Sequence, residues 1–292
     1  MEGILVGCGQ ITWSRSTPVE QVLAEIAQAG YDGAPASPRA GRSAEETVEL
    51  YTQHGLKPAP GYLGAAFWEK DQREQILERA RQLALFMHQV GCTALYVAAG
   101  GFDYVTPSGQ TRSQVAGHVS PEDALSDEEY QRFAEVLNEV GEITLKEGVR
   151  SCFHNHVGSV IETREEIDRL FSLVERDLVF QGPDIGHLAW AGADVVQFCR
   201  DYAGSIKTMH LKDIHPEVLK EGREKKWDYR TFSEKGIFTE LGEGFVDFPA
   251  MFDILKDAGF QGWVIVETDV TQKPSALESA IISRDYLKRI GI

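Results

Sequence analysis

The chain has 292 residues, 42% hydrophobic and 25% charged, enough to bury one large core without disulfides or a structural metal. Its formal net charge of -16 argues against nucleic acid, because the densest basic stretch, Lys220 to Arg230, is interleaved with Glu221, Glu224 and Asp228. The four cysteines lie in or near apolar runs without C-x-x-C spacing, which predicts buried free thiols in a reducing compartment. No run approaches membrane-span length, and Met1-Glu2-Gly3-Ile4 has no basic leader, so a cytoplasmic protein with no membrane partner is expected.

Strand-like and helix-like segments alternate along the whole chain. The first strand runs from about Ile4 to Cys8. Thr17-Pro18-Val19-Glu20 reads as a capping box with Pro at the first helical position, and that helix stops at Gly30. A short strand follows near Gly33-Ala34, then a second capping box at Ser43-Ala44-Glu45-Glu46. Lys57 to Leu63 reads as a third strand weakened by Pro58 and Pro60. An amphipathic helix from Asp71 to Val90 ends at Gly91, and Thr93 to Ala98 is the fourth strand. The polar segment from Gly100 to Ser126 is too long for a plain connector.

The second half repeats the pattern. A helix from Asp127 to Glu147 precedes a fifth strand ending at His154, and Thr163 caps the next helix. A sixth strand ends at Asp184, Ala193 to Tyr202 is helical, and a seventh strand ends at His210. Asp213 to Asp247 reads as a charged and aromatic loop. A helix at Phe248 to Ala258, a strand ending at Glu267 and a helix from Lys273 to Arg289 close the chain. These are about eight β-α units, which predict a single (β/α)8 TIM barrel over residues 1–292. The alternative, an open doubly wound sheet, would want a Gly-rich phosphate turn, and Gly7-Cys8-Gly9 lacks its third glycine.

In a parallel barrel the C-terminal strand ends converge on one mouth, so His154, Asp184, His210 and Glu267 would meet there. An acid ending a buried strand, as Glu267 does, is costly unless paired or bound to a cation. Asp184, within Gly182-Pro183-Asp184-Ile185-Gly186-His187, reads either as a metal ligand or as a helix cap. In His154-Asn155-His156 alternation sends both imidazoles to one side, where ligand, base and hydrogen-bond donor are all open to them. Glu162 either reaches a metal or is a first-turn acid favoured by the helix dipole. Lys212 either contacts a substrate oxygen or forms a structural ion pair, and Asp213 extends the same strand end.

With these residues placed, the chain resembles the inosose dehydratases of inositol catabolism, within the xylose-isomerase-like barrels of sugar isomerases and epimerases. The resemblance rests on His154-Asn155-His156-Val157-Gly158-Ser159 with Glu162-Thr163, Pro183-Asp184-Ile185-Gly186-His187, His210-Leu211-Lys212-Asp213, Gly242-Glu243-Gly244 with Val246-Asp247-Phe248-Pro249, and Gly262-Trp263 leading to Glu267. Gln10-Ile11-Thr12-Trp13 looks like the family's first strand end. The resemblance implies a divalent ion, manganese or cobalt before magnesium or zinc, on Asp184, His210, Glu267 and a fourth ligand, Glu162 or His154. It implies Glu267, His154 and His156 as acid–base residues, and Trp13, His187, Lys212 and Asp213 on the substrate. The activity it implies is metal-dependent dehydration of a small cyclic polyhydroxy ketone through an enolate, the alternative being a sugar isomerase or epimerase. A homo-oligomer is compatible with it. Ala34-Pro35-Ala36 departs from relatives that carry an acid at the second strand end, which reshapes one wall of the pocket.

Overall fold

The computed structural model describes residues 3–292. Met1 and Glu2, part of the opening segment read above for a leader, lie outside them. The first half contains β1 (Ile4–Cys8), α1 (Val19–Ala29), β2 (Gly33–Pro35), α2 (Ala44–Gln53), β3 (Lys57–Ala59), β4 (Tyr62–Ala65), α3 (Arg73–Gln89), β5 (Ala94–Ala99) and α4 (Asp127–Lys146). The second half contains β6 (Arg150–His154), α5 (Arg164–Leu173), β7 (Val179–Gln181), α6 (Ile185–Ala191), α7 (Val195–Tyr202) and β8 (Thr208–Leu211). It ends with β9 (Asp213–Ile214), α8 (Pro216–Lys225), α9 (Tyr229–Glu234), β10 (Phe238–Thr239), α10 (Phe248–Asp257), β11 (Gly262–Val266) and α11 (Ala276–Arg289).

Two parallel arcs, β3-β2-β1-β11-β8 and β4-β5-β6-β7, make the ring. β1 pairs in parallel with β11, Gly7 opposite Ile265, so the first and last strands are neighbours. The arcs join twice. Parallel bridges at Gln181–Ile206 and Asp184–His210 link β7 to β8. β3 and β4 are the predicted third strand, broken at Pro60-Gly61, where proline has no N–H for the ladder. The eight-stranded barrel is therefore the observed fold, with one bent strand.

Apolar helix faces pack on the outside of the ring; α1, for example, buries Val22, Leu23, Ile26 and Ala29. The barrel interior is a smaller cluster of Ala59, Tyr96 and Ile265, with Trp263 against it. A Cβ on Gly33 would lie 2.6 Å from the Trp263 ring, so glycine there lets one large indole fill the floor. The four cysteines are buried and unpaired, as expected, and burial pushes the Cys92 and Cys152 thiols up to about 12.

Several local readings change. Thr17 does not cap α1, which begins after Pro18 without a side-chain cap, whereas Ser43, Ser126 and Thr163 each close a capping box. The segment 213–247 is no loop: it holds α8, α9 and the β9–β10 antiparallel pair. The short helix α6 directly after Asp184 was also missed. The long segment 100–126 is held by Arg112, which is fully buried. Arg112 donates to Ser159 O, Asp123 O and both oxygens of Glu166, whose carboxylate also accepts the Glu162 and Thr163 N–H groups. A buried bidentate pair of this kind ties the loop to the start of α5.

Candidate active site

The strand ends form a cavity of about 320 Å³ lined by Tyr62, Tyr96, His154, His156, His210, Lys212, Glu267 and Asp269, with Ile11, Pro35 and Pro60 on one side. Its size suits a small polar molecule. His154, Asp184 and His210 each bring a ligand atom within 4.8 Å of the others. Asp184 caps α6 and turns its other oxygen toward the imidazoles. Oδ1 accepts the His187 N–H at 3.0 Å and caps α6, while Oδ2 faces His210 Nδ1 at 3.8 Å and His154 Nε2 at 3.9 Å. Asn155 fixes this acid, accepting its backbone N–H at 3.0 Å.

Glu267 Oε2 lies 3.0 Å from His210 Nδ1 and 2.8 Å from Lys212 Nζ. The same ammonium is 3.1 Å from Asp184 Oδ2 and 2.8 Å from Asp269 Oδ1. Burial alone would lower the pKa of Lys212, but Asp184, Asp269 and Glu267 hold it well above its ordinary value. Burial would likewise raise Asp184, yet Lys212 brings it down to about 2. Glu267 is held below the usual carboxylate range by His210 and Lys212 against its own burial. Burial wins at Asp269, which rises to about 6 despite Lys212.

Burial keeps three of the imidazoles neutral. Burial drives His154 and His187 well below the usual range and His156 to about 4. Neutral imidazole is the form that ligates a metal. His154 Nδ1 and His210 Nε2 are buried without a hydrogen-bond partner among the described residues, while His154 Nε2 and His210 Nδ1 face Asp184 Oδ2. Buried imidazole nitrogens gathered around a carboxylate oxygen fit a divalent cation. A second group, His156, His187 and Asp269, adjoins the first. The His156 and His187 rings lie 3.7 Å apart, and His156 Nδ1 donates to Val157 O at 2.7 Å, so its Nε2 is an acceptor.

Three residues expected at the site lie elsewhere. Glu162 is buried, and its two oxygens accept N–H groups from Gly117 at 2.8 Å and Gly158 at 2.7 Å, outside the ligand cluster. Trp13 does not line the cavity; its indole donates to Glu25 at 2.6 Å, and Ile11 takes the place beside the mouth. The Asp213 carboxylate accepts N–H groups from Ile214, Gly242, Gly244 and Val246. It shapes the 240s loop, and a Cβ on Gly244 would come within 2.1 Å of Asp213 Oδ1, which is why glycine stands there. His187, expected on the substrate, does not line the cavity; it stands behind it, against the His156 ring and with Nε2 4.0 Å from Asp184 Oδ2. Asp269 was missed, although it stands two residues beyond Glu267, where alternation points to the same side. Tyr62 and Tyr96 carried no signal, because aromatic residues in strands are ordinary core.

A parallel barrel whose C-terminal mouth gathers imidazoles, carboxylates and a lysine has the layout of an enzyme acting on a small polar substrate. The model of the xylose isomerase-like TIM barrel family matches residues 23–290, and the chain belongs to that family. Within it the chain falls with the inosose dehydratases. It is 30% identical over 275 residues to the inosose dehydratase of Geobacillus kaustophilus, covering 93% of this chain and 87% of that one. It is also 32% identical over 279 residues to the rhizopine catabolism protein MocC of Rhizobium meliloti, covering 91% and 82%. A solved structure of IolI protein with a bound zinc atom shares the fold, with a TM-score of 0.71 at 18% identity over 98% of this chain and 97% of that one.

Proposed function

We propose that the chain removes water from a cyclic polyhydroxy ketone of the inosose type, using a divalent ion at the barrel mouth, with residues 1–292 acting as one domain. The observation that carries this is the convergence of His154, Asp184 and His210 with Glu267 at one barrel mouth, in a chain similar to inosose dehydratases along nearly its whole length. His154, rather than Glu162, completes the ligand set with Asp184, His210 and Glu267, because both Glu162 oxygens are taken by backbone N–H groups. Nitrogen and oxygen donors in this proportion suit manganese or cobalt. Bound there, the ion would supply a Lewis acid for the ketone oxygen.

The remaining chemistry belongs to side chains. Lys212 adds a fixed positive charge beside the same oxygen and neutralises the carboxylates around it. Glu267, kept ionised, takes the α-proton. His156 enters with a bare Nε2, so it accepts a proton or a substrate hydroxyl before it can give one. Asp269, near 6, is the carboxyl able to hand a proton to the departing β-hydroxyl. The C–H electron pair becomes the new double bond as the protonated hydroxyl leaves as water. Tyr62, Tyr96 and Ile11 wall the ring and limit water.

The test is product identity. Purified protein with added manganese should convert 2-keto-myo-inositol to an ultraviolet-absorbing dione with loss of one water. A ketose or keto-inositol altered only in configuration would instead establish isomerase or epimerase chemistry.

A further inference from the structure

Tyr62 opens β4 directly after the Pro60-Gly61 break and lies opposite Tyr96 in the parallel β4–β5 pair. Both rings line the reaction cavity, but their hydroxyls have different fates. Tyr96 is 1% exposed, and its hydroxyl donates to Thr208 Oγ1 at 2.6 Å, because Thr208 in turn donates to Trp263 O at 2.9 Å. Tyr62 is 43% exposed, and its hydroxyl makes no hydrogen bond among the described residues. Gly64, the next position on the same face of β4, leaves that position bare, and the Tyr62 ring lies against it: a Cβ there would sit 3.4 Å from Cε1. The His154 ring meets the Tyr62 ring edge to face, with centroids 5.3 Å apart.

The ring is thus seated while its polar end is left free. Burial holds the hydroxyl well above the usual phenol range, with Lys212 opposing and Glu267, Asp184 and Asp269 adding to the rise, so it stays a donor. The three carboxylates are already engaged by the Lys212 ammonium. The cavity side beside Tyr62 is Ile11, Pro35 and Pro60. Isoleucine has no polar side-chain atom and proline no N–H. Pro35 O already accepts from Gln10 at 2.9 Å and from Tyr51 at 2.7 Å. A hydroxylated ring pressed against that side meets one free donor, the Tyr62 hydroxyl. A desolvated hydroxyl left without a partner is disfavoured, so a single donor in an apolar wall discriminates between rings that differ by one hydroxyl.

We propose that Tyr62 is a specificity-determining residue whose hydroxyl donates to one ring hydroxyl of the cyclic polyhydroxy ketone bound at the barrel mouth. This rests on reading that cavity as the reaction site. The ligand cluster and Lys212 address the ketone oxygen, and Tyr62 reads the hydroxylation of the ring. The site therefore favours the fully hydroxylated ring over one that lacks this hydroxyl, although both carry the ketone that reacts.

Calorimetric titration of protein equilibrated with manganese tests this without turnover, because myo-inositol carries the ring hydroxyls but no ketone. The probes are myo-inositol and the set of its deoxy analogues, each lacking one hydroxyl. One analogue should bind wild type about tenfold more weakly than myo-inositol does. Tyr62→Phe, which keeps the ring beside His154, should weaken myo-inositol by about the same factor and leave that one analogue as in wild type. Metal content should be equal in the two proteins. No saturable binding of myo-inositol, unchanged affinity in the variant, or a loss that is the same for every analogue overturns the proposal. Loss of metal in the variant also overturns it, by making Tyr62 a support for His154. Coupling to one hydroxyl without dione formation from any keto-inositol would defeat the reaction reading and leave the contact standing; dione formation without that coupling would do the reverse.

Discussion

Glu162→Gln separates a structural carboxylate from a metal ligand. Glu162 is 1% exposed, and burial raises its pKa from 4.5 to about 7, against Arg112 and the N–H groups of Gly158 and Gly117. A carboxyl with a raised native pKa binds its proton more tightly folded than unfolded. Its favourable contribution is whole below pH 4.5 and is lost as pH rises through about 7. The difference of about 2.5 units corresponds to about 3 kcal/mol across that window. Gln cannot titrate. It keeps one acceptor oxygen but turns an NH2 toward the other backbone N–H, a pH-independent cost of about 1–3 kcal/mol. The variant should therefore be the less stable protein at pH 5, and the gap should close or reverse by pH 8. Urea unfolding of chelator-treated wild type and variant at both pH values measures this, and metal content after reloading should be equal in the two. Parallel stability profiles would refute the buried-carboxyl account, and loss of metal in the variant would return Glu162 to the ligand set.

The other predictions concern the mouth itself. Chelation should abolish turnover and manganese, cobalt, magnesium or zinc restore it, while His210→Ala and Asp184→Asn should each lower bound metal by elemental analysis; full turnover in metal-free protein would end the metal reading. Glu267→Gln should cost about 10²–10⁴-fold in rate if it removes the α-proton. Solvent deuterium exchange at the α-carbon should fall with it, and unchanged exchange would place the base elsewhere. Lys212→Met leaves Asp184, Glu267 and Asp269 without their shared cation. Breaking a buried pair this way costs about 3–5 kcal/mol. With about 2.1 cal/mol/K per residue of unfolding entropy, that is a fall of about 5–8 °C in the melting temperature of metal-free protein. Manganese should recover part of it, and an unchanged Tm would show that the carboxylates do not depend on this ammonium.

Sequence alone determined what is local. Alternating apolar runs set the strands and helices, and the boxes at Ser43 and Thr163 set two helix starts, because a cap needs only residues within one turn of each other. The strand-end positions of His154, His210 and Glu267 followed from the same periodicity, and β-barrel closure then brings them to one mouth. Tertiary structure decided what depends on distant partners. Glu162 and Asp213 have the composition of site acids, but N–H groups from segments 45 and about 30 residues away in the chain claim their oxygens. Trp13 turned to Glu25, and Asp184 became the cap of α6 because that helix begins at once behind it. Ile11 and Asp269 joined the site only when the loops after the first and last strands met at the barrel rim, since loop placement follows closure of the ring.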